Sequence, residues 1–255
     1  MMKTKPHTTN RWLQVLPHNS AARLRLFCFP YAGGAASIYR QWQHYLPTTT
    51  EVCAVQLPGR EQRIREQAFA TMELLVEALL PNLLPHLDRP FALFGHSMGS
   101  LIAYALAQQL QQQYQLTPTH LLVSGRRAPF LPAPESPLHT LTDDKAFLTE
   151  IQQRYKNLPA VIFADAELRG LFVPLLRADF ALVERYRSQD EPPLACPIVA
   201  FGGEADPHAT ALDLQAWQQL TSRAFALHRL PGDHFYLNQE GPALVTLIAA
   251  ILSNH

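Results

Sequence analysis

The stretch Phe91-Ala92-Leu93-Phe94-Gly95-His96-Ser97-Met98-Gly99, continued by Ser100-Leu101-Ile102-Ala103-Tyr104-Ala105-Leu106, reads as an apolar strand, a tight turn and an alanine-bearing helix. A serine at such a turn has its hydroxyl lifted above the end of a sheet, and flanking glycines let strand and helix approach without Cβ clashes. Gly95 and Gly99 supply that room. At the helix start the serine also meets the positive end of the helix dipole and backbone N–H groups without intrahelical acceptors. Ser97 is therefore the candidate nucleophile, and the N–H of Met98 the first candidate donor to a developing oxyanion.

On both sides of this stretch short apolar runs alternate with longer helical patterns, the signature of a mostly parallel sheet with helices on both faces. The runs predict strands over 24–29, 52–56, 91–94, 120–124, 197–201 and 225–229. Apolar residues recurring at three and four predict helices over 72–87, 97–114, 212–220 and 242–252. One segment breaks the alternation. From about 128 to 191 no strand pattern occurs, and Pro129, Pro132, Pro134 and Pro137 open it. Thr142-Asp143-Asp144 reads as a helix N-cap, with further helical turns over 166–172 and 174–186. A helical insertion rich in Leu, Phe and Val between two core strands has the form of a lid over a substrate site, or of additional structural packing.

A chain of 255 residues with 47% hydrophobic and 16% charged residues is expected to be one α/β domain spanning 1–255. With 21 basic against 21 acidic residues there is no general electrostatic reason to bind nucleic acid or an anionic membrane. Cys28, Cys53 and Cys196 are odd in number, widely spaced and set among apolar residues, so they read as core thiols in a reducing compartment. Residues 1–20 carry Lys3, Lys5 and Arg11 but no apolar stretch long enough for a signal peptide or membrane helix, which leaves the cytoplasm as the expected location. No metal or cofactor is expected, and nothing demands more than a monomer.

A serine hydroxyl is a poor nucleophile at neutral pH; it needs a histidine to take its proton and a carboxylate to hold that histidine's tautomer. In this kind of fold they follow in the order serine, acid, histidine. Of eleven histidines, His208, His228, His234 and His255 lie beyond the later strands; His228 falls inside a predicted strand and His255 ends the chain. His234, in Leu230-Pro231-Gly232-Asp233-His234-Phe235, follows the last strand on a Pro-Gly loop and is the expected base. For the acid, Glu204-Ala205-Asp206-Pro207 follows a strand into a turn. Asp206 is the choice and Glu204 its competitor, while Asp233 is set aside because adjacent side chains point apart. The second oxyanion donor is sought in Phe29-Pro30-Tyr31-Ala32-Gly33-Gly34-Ala35-Ala36, at Ala32 or, one residue away, Tyr31. That loop lacks the lysine and spacing of a nucleotide-binding loop.

Several segments taken together resemble the stand-alone type II thioesterases of nonribosomal peptide and polyketide synthesis, α/β-hydrolases related to medium-chain acyl-carrier-protein thioesterases. They are Leu26-Phe27-Cys28-Phe29-Pro30-Tyr31-Ala32-Gly33-Gly34, Gln56-Leu57-Pro58-Gly59-Arg60, Phe94-Gly95-His96-Ser97-Met98-Gly99 and Ser124-Gly125-Arg126-Arg127-Ala128-Pro129. Pro174-Leu175-Leu176-Arg177-Ala178-Asp179-Phe180, Gly202-Gly203-Glu204-Ala205-Asp206-Pro207 and Gly232-Asp233-His234-Phe235 continue the likeness. The resemblance implies an α/β-hydrolase fold with a helical lid and hydrolysis of thioesters between an acyl group and the phosphopantetheine arm of an acyl or peptidyl carrier protein, clearing stalled or misprimed groups. It places the family's catalytic serine, aspartate and histidine at Ser97, Asp206 and His234. Tyr31 stands where the family has His or Tyr. The lack of an attached carrier or synthetase domain fits a separate editing enzyme.

Esters would use the same residues, so a small-molecule esterase or lipase stays open. So does a non-catalytic carrier-binding module, although the presence of all three residues counts against it. Leu171, Phe172, Val173, Leu175, Leu176 and Phe180 line an acyl pocket or pack on the core. Arg60, Arg63, Arg65, Arg126 and Arg127 are candidate contacts for the arm's phosphate or an acidic carrier helix, or else solvated charges and internal salt bridges.

Overall fold

Apolar runs without alternation become central strands, because a strand covered by helices on both faces has no wet side. β2 (Leu24–Phe29), β3 (Thr50–Val55), β4 (Phe91–His96), β5 (Leu121–Ser124) and β6 (Ile198–Gly203) are buried along their whole length. With β1 (Leu13–Leu16) and β7 (Phe225–Leu230) they form a seven-stranded sheet of order β1-β3-β2-β4-β5-β6-β7. Only β1 runs antiparallel to its neighbour. These features come from a computed structural model that describes residues 10–16, 21–188 and 191–253. For residues 1–9 and 17–20 the reading of the N-terminal stretch lies outside the described residues, and so does His255. Among the described residues no helix is long and apolar enough to cross a membrane.

Side chains on β2 divide by parity. Phe27 and Phe29 join Leu93 and Val123 on the face covered by α1 (Met72–Leu83) and α2 (Met98–Tyr114), where Leu79 and Ile102 complete the core. Leu26 and Cys28 join Phe94 and Leu122 on the other face, under Leu244 and Ile248 of α7 (Gly241–Leu252). The three cysteines are buried free thiols. Between β5 and β6 stand α3 (Asp144–Tyr155), α4 (Val161–Ala164) and α5 (Ala166–Arg185), with a separate apolar cluster that includes Phe147, Ile162, Leu176 and Phe180. α6 (Ala211–Gln215) follows β6.

The departures from the sequence reading have local causes. β1 was not expected, since its four residues carry no period of their own and are fixed by pairing with β3, Leu13 opposite Val55. The helix expected over 72–87 ends at Leu83 and tightens into a 3-10 turn over Leu84–His86, because Pro85 has no N–H to continue the ladder. The helix expected over 212–220 likewise becomes 3-10 from Ala216. The turns expected over 166–172 and 174–186 are one helix, α5, which continues through Pro174. The carbonyl that proline leaves unpaired belongs to Gly170, an exposed residue with nothing within 4 Å of where its Cβ would stand. Asp143 does cap α3, accepting from the Ala146 N–H at 2.7 Å.

Candidate active site

Ser97 sits between β4 and α2 at φ 53° and ψ −112°. A residue with a Cβ held there stores strain on the order of 1–3 kcal/mol, which the surrounding structure must overcome. It is held from both sides: the Ser97 N–H donates to the Ser124 carbonyl on β5 at 2.8 Å, and Ser100 Oγ donates to the Gly95 carbonyl at 2.8 Å. A Cβ on Gly95 would lie 2.0 Å from the Gly99 carbonyl oxygen, and one on Gly99 2.1 Å from the Phe29 carbonyl oxygen. Both contacts are with backbone, so neither position accepts a side chain. The helix begins at Met98, one residue later than the apolar pattern suggests.

Three of the residues singled out in the sequence meet at this turn. His234 Nε2 lies 3.0 Å from Ser97 Oγ, and His234 Nδ1 lies 2.8 Å from Asp206 Oδ2. Asp206 comes from the loop after β6, and its Oδ1 accepts from the His208 N–H at 2.9 Å. Burial alone would raise the Asp206 carboxyl, but the hydrogen bond and charge of His234, with the N–H and charge of His208, hold it below the usual carboxylate range. An ionised Asp206 only accepts, so the proton of neutral His234 sits on Nδ1 and Nε2 faces the serine hydroxyl as an acceptor. Glu204 and Asp233 are exposed, and the two loops cross where a Cβ on Gly203 would stand 2.2 Å from the Asp233 carbonyl oxygen.

Ser97 and His234 open into a cavity of about 330 Å³ that Tyr31 and Ala32 also line. Much of its lining is apolar, with Leu158, Ile162, Phe172, Leu176, Phe180 and Val183. Phe172, Leu176 and Phe180 recur every four residues and so share one face of α5. Of the other residues considered for this role, Leu171 is exposed, while Val173 and Leu175 are buried away from the cavity.

The thioesterase domain family matches residues 24–252. The chain belongs to the thioesterase family. It is similar to the linear gramicidin dehydrogenase LgrE of Brevibacillus parabrevis, 42% identical over 255 residues that cover 98% of this chain and 96% of that protein. The gramicidin S biosynthesis protein GrsT of Aneurinibacillus migulanus is 42% identical over 228 residues, 89% of this chain and 88% of that protein. Among solved structures, RedJ, a thioesterase from the prodiginine biosynthetic pathway in Streptomyces coelicolor, has a TM-score of 0.83 at 42% identity, covering 92% of this chain and 88% of its own.

In this thioesterase the loop after β2 is tied to α5. Gly33, at φ +74°, donates its N–H to Asp179 Oδ2 at 2.7 Å. Arg60 grips the same carboxylate with both terminal nitrogens, at 3.2 and 2.8 Å, and donates to the Gly34 carbonyl at 3.0 Å. Both side chains are buried, 4% and 3% exposed, so each charge depends on the other. Asp179 was missed in the sequence, although a carboxylate within Leu175-Leu176-Arg177-Ala178-Asp179-Phe180, on an apolar helix, signals a buried partner.

Arg60 and Arg63 are therefore not contacts for a phosphate. Arg63 is spent on the Gln56 carbonyl, Glu66 and the ring of Trp12. Arg127 pairs with Asp213 at 2.8 Å, and Arg65 is exposed. His96 was also missed: its Nδ1 is 2.8 Å from Ser124 Oγ, which is 2.6 Å from the Tyr236 hydroxyl. Burial, aided by the charge of His234, holds His96 well below the ordinary histidine range. A neutral ring there adds no charge against a protonated His234.

Asp179→Asn leaves Arg60 buried without its anion, and denaturant unfolding is expected to show a loss of about 3–5 kcal/mol. The double variant Arg60→Met/Asp179→Leu should recover most of it, because two charges removed together leave neither unpaired. A single variant as stable as the parent would contradict the pairing.

Proposed function

We propose that this thioesterase hydrolyses acyl thioesters on the phosphopantetheine arm of acyl or peptidyl carrier proteins, clearing misprimed or stalled groups in a nonribosomal peptide or polyketide pathway. The observation that carries the proposal is the Ser97–His234–Asp206 hydrogen-bond chain at the mouth of an apolar cavity. The relatives support the setting, since GrsT serves gramicidin S biosynthesis and RedJ a prodiginine pathway. LgrE is named a dehydrogenase, but the groups gathered around Ser97 are those that acyl transfer needs, and the proposal follows them.

In the proposed mechanism Ser97 Oγ attacks the thioester carbonyl while His234 Nε2 takes the hydroxyl proton. Asp206 fixes the ring and stabilises the imidazolium. The carbonyl oxygen, now anionic, accepts from the N–H groups of Met98 and Ala32, the second presented by the loop that Asp179 and Arg60 hold. Collapse breaks the carbon–sulfur bond and the thiol leaves with the proton from His234. Water then attacks the acyl-serine with His234 as base, and the second collapse returns the proton to Ser97 Oγ and frees the carboxylic acid. The insertion over 128–191 acts as the lid of the cavity, through Phe172, Leu176 and Phe180. Free, buried thiols support a cytoplasmic location.

The test compares one acyl group presented two ways, on a purified carrier protein and as a p-nitrophenyl ester. Binding energy from the arm and carrier should raise kcat/KM for the thioester at least about 100-fold over the ester. Equal or better turnover of the ester would favour the esterase reading.

A further inference from the structure

Arg126 is the one arginine among the earlier phosphate candidates that is both turned into the cavity and left without an anion. It follows Ser124 and Gly125 at the end of β5, and its carbonyl accepts from Trp217 Nε1 at 2.7 Å, which fixes the backbone beneath it. Arg126 lines the cavity at Ser97 and also a second, smaller cavity of about 110 Å³. Tyr155, Phe180 and Val183 stand with it between the two.

Among the described residues the Arg126 guanidinium makes no hydrogen bond and no ion pair, and its Nε is shut off from solvent without a partner. Nearby carboxylates are already engaged. Glu184 accepts from the N–H groups of Leu138 and His139 and from the His139 ring. Glu135 pairs with Arg154 at 2.9 Å, and Asp213 holds Arg127. Burial pulls the Arg126 guanidinium below its ordinary range, yet arginine stays protonated across the physiological range. A cation kept against desolvation, with Glu184 acting on it only from beyond ion-pair distance, is stabilised when a ligand supplies an anion in direct contact.

We propose that Arg126 is an oxyanion-binding subsite within the substrate cavity, taking either a carboxylate at the far end of the acyl group or the phosphate of the carrier's arm. The subsite rests on the thioester-hydrolase reading above and adds to it a class of substrate, one bearing an anion within reach of the cavity. The planar fork of the guanidinium matches either group in two-point contact.

Four thioesters separate the sources: butyryl and succinyl, each on pantetheine and on 4′-phosphopantetheine. Arg126→Gln is compared with the parent on all four. The preference in kcat/KM for anionic over neutral substrate should fall by about 10- to 100-fold. A loss that follows the succinyl group on either arm assigns the subsite to the acyl carboxylate; a loss that follows the phosphate with either acyl group assigns it to the arm. A change of the same size on all four substrates, or no change on any, overturns the proposal. Arg126→Lys, which keeps the charge without the fork, should retain part of the preference. Calorimetric titration of the same compounds in the Ser97→Ala background gives the preference as Kd ratios and decides the subsite without turnover. If the parent hydrolyses none of the four, the hydrolase reading fails, while the titration still reports on Arg126.

Discussion

Ser97→Ala is expected to lower kcat for acyl-carrier hydrolysis by about 10⁶-fold, the scale seen when a triad nucleophile is removed and only binding and oxyanion stabilisation are left. The Ser97 hydroxyl has His234 as its hydrogen-bond partner, 3.0 Å away, and the fold around it is held by the Ser97 N–H and by Ser100. Thermal unfolding should therefore shift by no more than about 1 kcal/mol. Affinity for an acylated carrier, measured by calorimetry, should stay close to that of the parent. A serine-directed fluorophosphonate should label Ser97 in the parent and nothing in the variant. Hydrolysis by the variant at near the parental rate would remove Ser97 from the mechanism.

Asp206→Asn is expected to cost about 10⁴-fold in kcat with little change in shape. An amide that donates to Nδ1 moves the ring proton to Nε2, where it faces the Ser97 hydroxyl and blocks proton transfer. Glu204→Gln, on the same loop but exposed, is expected to change kcat less than about twofold; a larger loss there than at Asp206 would reassign the acid. Stability offers a second readout with a definite sign. The Asp206 carboxyl is lowered in the folded state, so its contribution is complete above the unfolded carboxylate value of about 3.9 and is lost as pH falls through the folded one. The gap in unfolding free energy between parent and Asp206→Asn should accordingly be full near neutrality and close in acid.

The parallel core was legible because strands buried on both faces are written as near-continuous apolar runs, and β2, apolar but for Arg25, and β4 fall where such runs occur. The turn at Ser97 was legible because backbone contact forces glycine at 95 and 99. Elsewhere the information is tertiary. β1 exists by virtue of β3, and α5 passes through Pro174 because Gly170 is open to solvent. Near Ser97, the order of Asp206 and His234 along the chain could be read, and Asp206 was the choice for the acid, although the loop's residues alone kept Glu204 as its competitor. What the chain does not display is the close passage of Gly203 against the Asp233 carbonyl, which brings the two loops together. Arginines were the least legible. Arg60, Arg126 and Arg127 look alike in sequence, yet one is locked to Asp179, one faces the cavity and one is held by Asp213.

The tie from Asp179 to Gly33 works as an interlock. Its carboxylate belongs to α5, whose side chains line the cavity, and its acceptor oxygen holds the loop that carries Ala32. Any excursion of α5 that withdraws Asp179 lets go of Gly33 in the same movement. In the proposed mechanism such a movement would free the loop that presents the Ala32 N–H, so hydrolysis would require α5 to be seated with Asp179 on Gly33.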